Sequence, residues 1–383
     1  AAPVVTSEGR AYPVAIRWRD RRPEPRPGPG GVEAATAATV RAALAEQEGD
    51  VLVFLPGAAE IRRVGALLHE GPLPPGTRVH ELFGNLPQHE QDAALDPAPP
   101  GARKVVLATS IAETSLTIEG VRAVVDCGLA RVPRFDPRTG MTHLETVRVS
   151  RASAAQRAGR AGRVAPGTCW RLWPEAEHAG LLAHAAPEVL DADLAPLALD
   201  LAAAGIGEPG ELLWLDPPPA AAFAQARELL VQLGALAPAD AHGGEGGRIT
   251  AHGRRMAALP LHPRLAHMAL RAAELGLAPL ACDLAALLAE RDVVRRGGGA
   301  PHDAWPDADV RLRLDLLRGE GDGAVALGGA AVDRDALRRV RAEARALRQQ
   351  LRATSATPSA GGGEDGDAAG RLLALAYPDR VAQ

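Results

Sequence analysis

"DVLVFLPGAAEIRRVGALLH", Asp50 to His69, is a short apolar run, a Pro-Gly break and a stretch with apolar residues at helical spacing. The run Asp50 to Leu55 is bounded by polar residues on one side and by Pro56-Gly57 on the other, which predicts a strand buried in a parallel sheet. A helix is expected from about Ala59 to His69. Before this stretch a helical pattern covers about Val32 to Gln47. After it "TRVHEL" (Thr77 to Leu82), "RKVVLATS" (Arg103 to Ser110) and "RAVVDCG" (Arg122 to Gly128) predict further strands. Short apolar strands alternating with helices mark a doubly wound α/β domain. In such sheets ligands gather at the carboxyl ends of the strands, so chemistry is expected in the polar turns after Leu55 and Leu107.

The chain has 383 residues, enough for two or three domains if each takes roughly 100 to 200. With 46% hydrophobic residues and both charge signs well represented, it is globular and not disordered or collagenous. Aromatics are only 3%, so the cores must be built from Ala, Leu and Val. Lys104 is the only lysine; arginine carries the rest of the positive charge, as GC-rich coding would produce. A net charge of -4 excludes a uniformly basic nucleic-acid coat but leaves room for a local basic stripe. Cys127, Cys169 and Cys282 are far apart and form no CxxC pair or His cluster, which predicts buried thiols in a reducing, cytoplasmic setting and no structural zinc. No apolar run reaches the roughly 18 residues of a membrane span, and no signal-peptide pattern opens the chain. It begins "AAPVV" without a methionine, so something upstream is expected to be missing.

The extended stretch "AYPVAIRW" (Ala11 to Trp18) leads into "RDRRPEPRPGPGG" (Arg19 to Gly31), a Pro/Gly/Arg loop. From about Pro187 the texture becomes Leu/Ala-rich and helical, in "EVLDADLAPLALDLAAAGI" and "AAAFAQARELLVQLGAL". A Gly-rich interruption at 243 to 247 precedes "RITAHGRRMAALPLHPRLAHMAL", read as a short strand and then helix; helix, helix, Gly-rich loop and strand suit a winged-helix module. Residues from about Leu265 to Arg352 read as all-helical around the loop "RRGGGAPHDAWPDA". "SATPSAGGGEDGDAAG" (Ser355 to Gly370) is a flexible linker by composition, and "RLLALAYPDRVAQ" begins a new element that stops abruptly, as a truncated terminus would.

Two segments carry chemistry. Between Ser150 and Trp173 there are five arginines and no Asp or Glu, whereas a solvated helix usually interleaves opposite charges. Gly159 and Gly162 lie inside this segment at a cost of about 1 kcal/mol each relative to Ala in a helix, which makes sense where the backbone must approach something closely. On a helix Arg157, Arg160 and Arg163 fan over about a third of the circumference with Gln156 one turn from Arg160, an arrangement suited to gripping one polyphosphate. An exposed arginine-rich helix is the alternative. The other segment is "RKVVLATSIAETSLTIEGVRAVVDCG", Arg103 to Gly128, in which a buried strand breaks into Thr, Ser and Glu. Hydroxyls and amides at a strand end suit phosphate or sugar contacts, although Thr109 or Ser110 could equally cap a helix.

Taken together, "VLVFLPGAAEI", "RKVVLATSIAETSLTIEGVRAVVDCGL" and "SRASAAQRAGRAGRVAPGTCWRLW" resemble motifs IV, V and VI of the DEAH-box helicases of superfamily two, in residues, order and spacing. Downstream, "LLWLDPPPAAAFAQARELLVQLGAL", "HGRRMAALPLHPRLAHMAL", "ACDLAALLAERDVVR" and "RLLALAYPDRVAQ" resemble the HrpB subfamily. The resemblance implies a RecA-like α/β lobe with a P-loop NTPase-type parallel sheet, then a winged helix and an all-α bundle. It divides the chain into a second RecA-like lobe (1–180), a winged helix (181–260), a helical ratchet-like domain (261–353) and a linker with the start of a further region (354–383).

By the same resemblance Arg160 and Arg163 match arginine fingers facing ATP, and Gln156 matches the residue that places the attacking water. Arg157 is implied at the nucleotide or the lobe interface, Thr117 and Glu119 near the nucleotide or its ribose, and Phe135 against the adenine or in the core. Thr109 and Ser110, with the loops at Pro56, Gly57, Leu86 and Pro87, would meet a single-stranded nucleic-acid backbone without reading its sequence. Many family members have Asn at the position of Ser110 and Asp at that of Glu119, which softens those two assignments. "ARVPRFDPRTGMTHLETVRVS" would form the strand-separating β-hairpin.

ATP and Mg²⁺ are the implied cofactors, yet no Gly-x-x-x-x-Gly-Lys-Ser/Thr loop and no Asp-Glu-Ala-His run is present in the sequence. "PVVTSEGRAYPV" resembles the linker after motif III, so a first RecA-like lobe is expected upstream as partner. The implied function is the C-terminal part of an ATP-dependent RNA helicase, which alone would not hydrolyse ATP. A non-catalytic nucleic-acid-binding fragment and a DEAH helicase acting on DNA are the alternatives. The basic run "RRVRAEARALRQQLR" (Arg338 to Arg352) is either a phosphate-facing helix or a solvated face, and His262 and His267 are read as packing or surface residues, not metal ligands.

Overall fold

A six-stranded, all-parallel sheet of order β1-β8-β5-β2-β4-β3 carries the first half of the chain in the computed structural model. Its strands are β1 (Val14–Trp18), β2 (Asp50–Phe54), β3 (Thr77–Leu82), β4 (Arg103–Ala108), β5 (Val121–Asp126) and β8 (Gly167–Arg171). The structure describes residues 6, 12–24, 28, 30–84, 86–113, 118–136, 139–238, 247–296, 309–319, 330–354 and 365–380. These fall into two units, Ala1–Asp136 with Met141–Asp191 and Pro137–Gly140 with Ala192–Gln383.

In β2 successive side chains alternate between the two faces of the sheet, which is why the whole strand is buried. Val51, Val53 and Leu55 pack with α1 (Val32–Glu46) and α2 (Ala58–Glu70). Leu52 and Phe54 pack on the opposite face with Ala94 of α3 (Gln88–Leu95), with Ala112 and Ile118, and with Ala158 of α4 (Arg151–Gly159). The doubly wound sheet predicted from the alternating pattern is therefore present. Two basic side chains at the start of β4 cap neighbouring helices, whose last carbonyls lack intrahelical partners. Arg103 donates to Leu44 O, Gln47 O and Gly49 O at 2.7, 2.7 and 2.8 Å. Lys104, only 2% exposed, donates through Nζ to Ala94 O, Leu95 O and Asp96 O at 3.0, 3.3 and 2.5 Å. Beside the sheet, β6 (Leu129–Asp136) and β7 (Met141–Arg148) form the expected antiparallel hairpin.

The second unit is mainly helical. Among the described residues its α-helices are Ala195–Ala203, Ala220–Gln232, Ala251–Ala257, Pro263–Glu274, Ala278–Ala289, Val310–Arg318, Arg334–Thr354 and Asp365–Ala376. Three expectations need correction. The strand read at "RIT" is a single antiparallel bridge, Leu236 to Ile249, because Thr250 already caps the next helix by accepting from Gly253 N at 2.9 Å. The all-helical stretch contains a two-stranded antiparallel ribbon, Val294–Arg296 with Ala330–Val332. The linker reading fails from Asp365 onward, where a helix begins; its residues 355–364 lie outside the described residues. That helix buries Ala368, Ala369, Leu372 and Ala376, and its end is held by Arg264, which donates to Asp379 Oδ1 and Oδ2 at 2.5 and 2.8 Å and to Ala376 O at 3.2 Å.

The basic helix Arg334–Thr354 spends much of its charge within the unit. Arg338 pairs with Asp335, Arg339 with Glu290 and Arg348 with Asp283, while Arg341 donates to the carbonyls of Leu316 and Leu317. Arg345 and Arg352 of that run are exposed; most of its charge is engaged within the unit, and the run is neither a bare phosphate rail nor a purely solvated face. His262 caps helix Pro263–Glu274 and meets Asp193 Oδ2 at 3.0 Å, and His267 Nδ1 meets His252 Nε2 at 2.9 Å. All three cysteines are buried and free, and no described helix is long and apolar enough to cross a membrane.

Candidate functional site

α4 begins at Ser150, whose side chain accepts from Ser153 N at 3.1 Å, and ends at Gly159. The chain then tightens into a 3₁₀ turn, Arg160–Gly162. This change of pitch breaks the fan of three arginines expected from a continuous helix. Arg157 points into the fold and is 0% exposed. Its guanidinium donates to Asp126 Oδ1 at 2.9 Å and to Leu129 O at 3.1 Å, pairs with Glu113 Oε1 at 2.6 Å, and lies 4.9 Å from the centre of the Phe54 ring. Burial opposes its charge, but the carboxylates of Asp126 and Glu113 outweigh that and raise its pKa. The resemblance implied Arg157 at the nucleotide or the lobe interface; in the structure it is a buried tie between the carboxyl ends of β2 and β5, the turn after β4, and α4.

Arg160 is buried, 5% exposed, and donates through Nη2 to the backbone carbonyl of Glu113. Its pKa is lowered by burial and by the nearby Arg163. Gln156 and Arg163 are exposed. Gln156, Gly159, Arg160, Arg163 and Glu113 line one cleft of about 400 Å³. Of the predicted catalytic residues, then, Arg160, Arg163 and Gln156 are brought together, while Arg157 supports them from below. The two glycines differ in kind. A Cβ on Gly162 would sit 2.5 Å from Tyr12 O, so that glycine serves a close approach inside the fold, whereas a Cβ on Gly159 would meet nothing within 4 Å and would stand in open space at the cleft.

Thr109 precedes the 3₁₀ turn Ser110–Ala112 at the carboxyl end of β4, but its side chain makes no capping bond. Capping therefore does not account for that hydroxyl; Thr109 is half-buried and Ser110 exposed. Thr117 lies outside the described residues. Glu119 is exposed in the turn before β5, at the amino-terminal edge of the sheet, whereas Thr109 and Ser110 stand at its carboxyl edge. Phe135 is half-buried on β6, opposite Thr142.

Pro56 and Gly57 are buried, contrary to an open backbone track: a Cβ on Gly57 would collide with the Arg131 guanidinium, which is itself paired with Glu60 at 3.0 Å. Leu86 packs against the core beside α1 and α2, and only Pro87, at the start of α3, is exposed. Among the described residues no group of His, Cys, Asp or Glu has the makings of a metal site.

Sequence reasoning missed Glu113, Asp126 and Ser153. Glu113 accepts from Ser153 Oγ at 2.9 Å and from Arg157 Nε at 2.7 Å, across 40 and 44 residues of chain. The arginine-rich segment lacks acids in its own sequence because its acids arrive from the turn after β4 and the end of β5. Only a knowledge of strand order reveals that.

Residues 35–165 match the family described as helicase conserved C-terminal domain, and residues 226–261 match the winged-helix helicase associated domain HA2. The chain is 42% identical over 350 residues to the ATP-dependent RNA helicase HrpB of Escherichia coli (strain K12), a match covering 88% of this chain and 41% of that protein. It is 36% identical over 326 residues to the pre-mRNA-splicing factor ATP-dependent RNA helicase prp22 of Schizosaccharomyces pombe, covering 84% and 26% respectively. A crystal structure of the Escherichia coli DEAH/RHA helicase HrpB is similar with a TM-score of 0.78 at 38% identity, over 99% of this chain and 42% of that one. The chain thus spans well under half the length of these relatives.

Proposed function

We propose, from the premise that the chain belongs to the DEAH-box helicases of the HrpB type, that it supplies the second RecA-like lobe, winged helix and helical domain of a cytoplasmic ATP-dependent RNA helicase. The cleft lined by Gln156, Arg160 and Arg163 carries this reading. Two arginines beside an open glycine suit the phosphate end of a nucleotide, because Glu113, the one acid among the described lining residues, turns its carboxylate to Ser153 and Arg157. The chain fits only half of an ATP site. Its single lysine is buried capping α3, and no P-loop or DEAH run is present to hold Mg²⁺. Bound MgATP would supply the phosphoryl group whose transfer to water drives stepping.

This chain's residues then have separate tasks. Arg160 and Arg163 stabilise charge developing on the transferred phosphoryl oxygens, a role worth on the order of 10³ to 10⁵ in rate in other phosphoryl-transfer enzymes. Gln156 orients the attacking water. Arg157 fixes α4 beneath them. Thr117, Glu119 and Phe135 are proposed for the nucleotide's sugar and base. Thr109, Ser110 and Pro87 are proposed to contact the backbone of single-stranded RNA; Leu86, Pro56 and Gly57 shape the loops that present them.

The test is twofold. Mixed with MgATP, the 383-residue chain is expected to show no turnover, and turnover abolished by Arg160→Ala would overturn the half-site reading. Binding to single-stranded RNA is expected to weaken with salt, with a log–log slope of about -0.7 per phosphate contacted. Competition by matched DNA strands separates RNA from DNA preference through the 2′-OH.

A further inference from the structure

Glu113 stands between the two sets of residues assigned above. It directly follows the 3₁₀ turn Ser110–Ala112, and its amide donates back to Ser110 O at 2.9 Å, so it shares one tight turn with Ser110 and with Thr109, which opens that turn. Its carboxylate clamps α4 at two points one helical turn apart, Ser153 Oγ at 2.9 Å and Arg157 Nε at 2.7 Å. Its backbone carbonyl accepts from Arg160. Side chain and main chain of one residue therefore act on the same helix: the first fixes where α4 lies, the second where the Arg160 guanidinium aims. Arg160 depends on such an acceptor, because burial and the nearby Arg163 both disfavour its charge.

Resting on the reading of Arg160 as a finger and of Thr109 and Ser110 as backbone contacts, we propose that Glu113 is a positioning residue that locks the turn after β4 to α4, so that a nucleic-acid backbone bearing on Thr109 and Ser110 also moves or steadies Arg160. The Glu113 carboxylate touches neither ligand. It acts through Arg157 and Ser153, and its charge matters because a carboxylate can satisfy both donors at once with charge-assisted bonds. The amide of Gln at this position keeps the shape, loses the charge and places a donor where Ser153 or Arg157 already donates.

Backbone hydrogen exchange of the 383-residue chain, with and without saturating 12-nucleotide poly(U) RNA, tests this. In the unsubstituted chain RNA is expected to slow exchange in 109–113 and also in 157–163, by about threefold or more in each. Glu113→Gln should bind the RNA within about twofold of the unsubstituted affinity, keep the slowing at 109–113 and lose most of it at 157–163. Ser153→Ala, which removes one clamp and leaves Arg157 paired with Asp126, should shift the response in the same direction by less, and it decides the matter if Glu113→Gln fails to fold. Full slowing at 157–163 in the folded variants, or slowing confined to 109–113 in the unsubstituted chain, would overturn the inference while leaving the proposed function standing. RNA that leaves 109–113 unchanged would overturn the backbone-contact reading and the inference with it.

Discussion

Arg157 and Asp126 meet at 2.9 Å with side chains 1% and 0% exposed, a buried ion pair that joins α4 to the carboxyl end of β5. Asp126 Oδ1 also accepts from Gly128 N at 2.9 Å, so the pair fixes the start of the hairpin as well. Removing one partner leaves the other charged and dry. Arg157→Ala should therefore destabilise the first unit by about 3–5 kcal/mol. Arg157→Lys should also be costly, since an ammonium cannot bond Glu113, Asp126 and Leu129 O in one fork. Urea unfolding followed by tryptophan fluorescence measures both.

Gly159 and Gly162 are predicted to respond to alanine in opposite senses. Gly162→Ala should cost about 1–3 kcal/mol, because the new methyl group collides with the Tyr12 carbonyl, which is backbone and cannot swing away. Gly159→Ala should be neutral or stabilising by up to about 1 kcal/mol, since it ends a helix and meets open space. Because that methyl group projects at the cleft, the same substitution should weaken nucleotide-dependent activity of any two-lobed enzyme built with this chain. Thermal unfolding and turnover, compared side by side, separate the two effects.

Lys104 caps α3 from within the core. Lys104→Met should cost about 1–3 kcal/mol, the penalty for leaving buried carbonyls without a donor. Amine-reactive reagents should modify Lys104 only as the first unit unfolds, so mass spectrometry of labelled peptides across a urea series reports that transition directly.

The second unit should lose stability as the solution is acidified. His267 is pushed down to about 4 from its ordinary 6.5, first by burial and then by the facing His252. Arg271 disfavours its charge as well, while Glu274 favours it. The folded unit therefore binds fewer protons here than the unfolded chain, and this contribution is complete above about pH 6.5 and is lost as the pH falls through about 4. Replacing His267 by Gln should flatten the fall in unfolding temperature across that window, whereas an unchanged slope would assign the acid lability elsewhere.

The parallel sheet was legible because β2, β4 and β5 are buried on both faces and so read as unbroken apolar runs between turn signals. The arginine cluster was legible as a cluster but not as a division of labour. A 3₁₀ turn after Gly159 leaves no mark in a segment of Ala, Gly and Arg, and it is this turn that separates Arg157, turned into the fold, from Arg160 and Arg163, which line the cleft. Glu113 and Asp126 were illegible for a different cause. Their partners lie 44 and 31 residues away in sequence, and which strand ends are neighbours depends on a strand order that no local pattern encodes. The buried Pro56 and Gly57 follow from Arg131 folding over them from the hairpin, another contact between distant segments. In the second unit, the helix from Asp365 was hidden by the Gly/Ser composition before it, although Ala368, Ala369 and Leu372 already carry the spacing of a buried face.

Arg160 is proposed to act on a nucleotide whose other contacts come from outside this chain. The most direct measurement is MgATP turnover by this chain fused to the part of Escherichia coli HrpB that lies outside its match, with the chain alone as control. The fusion is expected to hydrolyse ATP and the chain alone not to, and Arg160→Ala should lower turnover of the fusion by about 10³ or more while the fusion stays folded at the assay temperature. Turnover by an active fusion that survives Arg160→Ala, or turnover by the chain alone, would contradict that role.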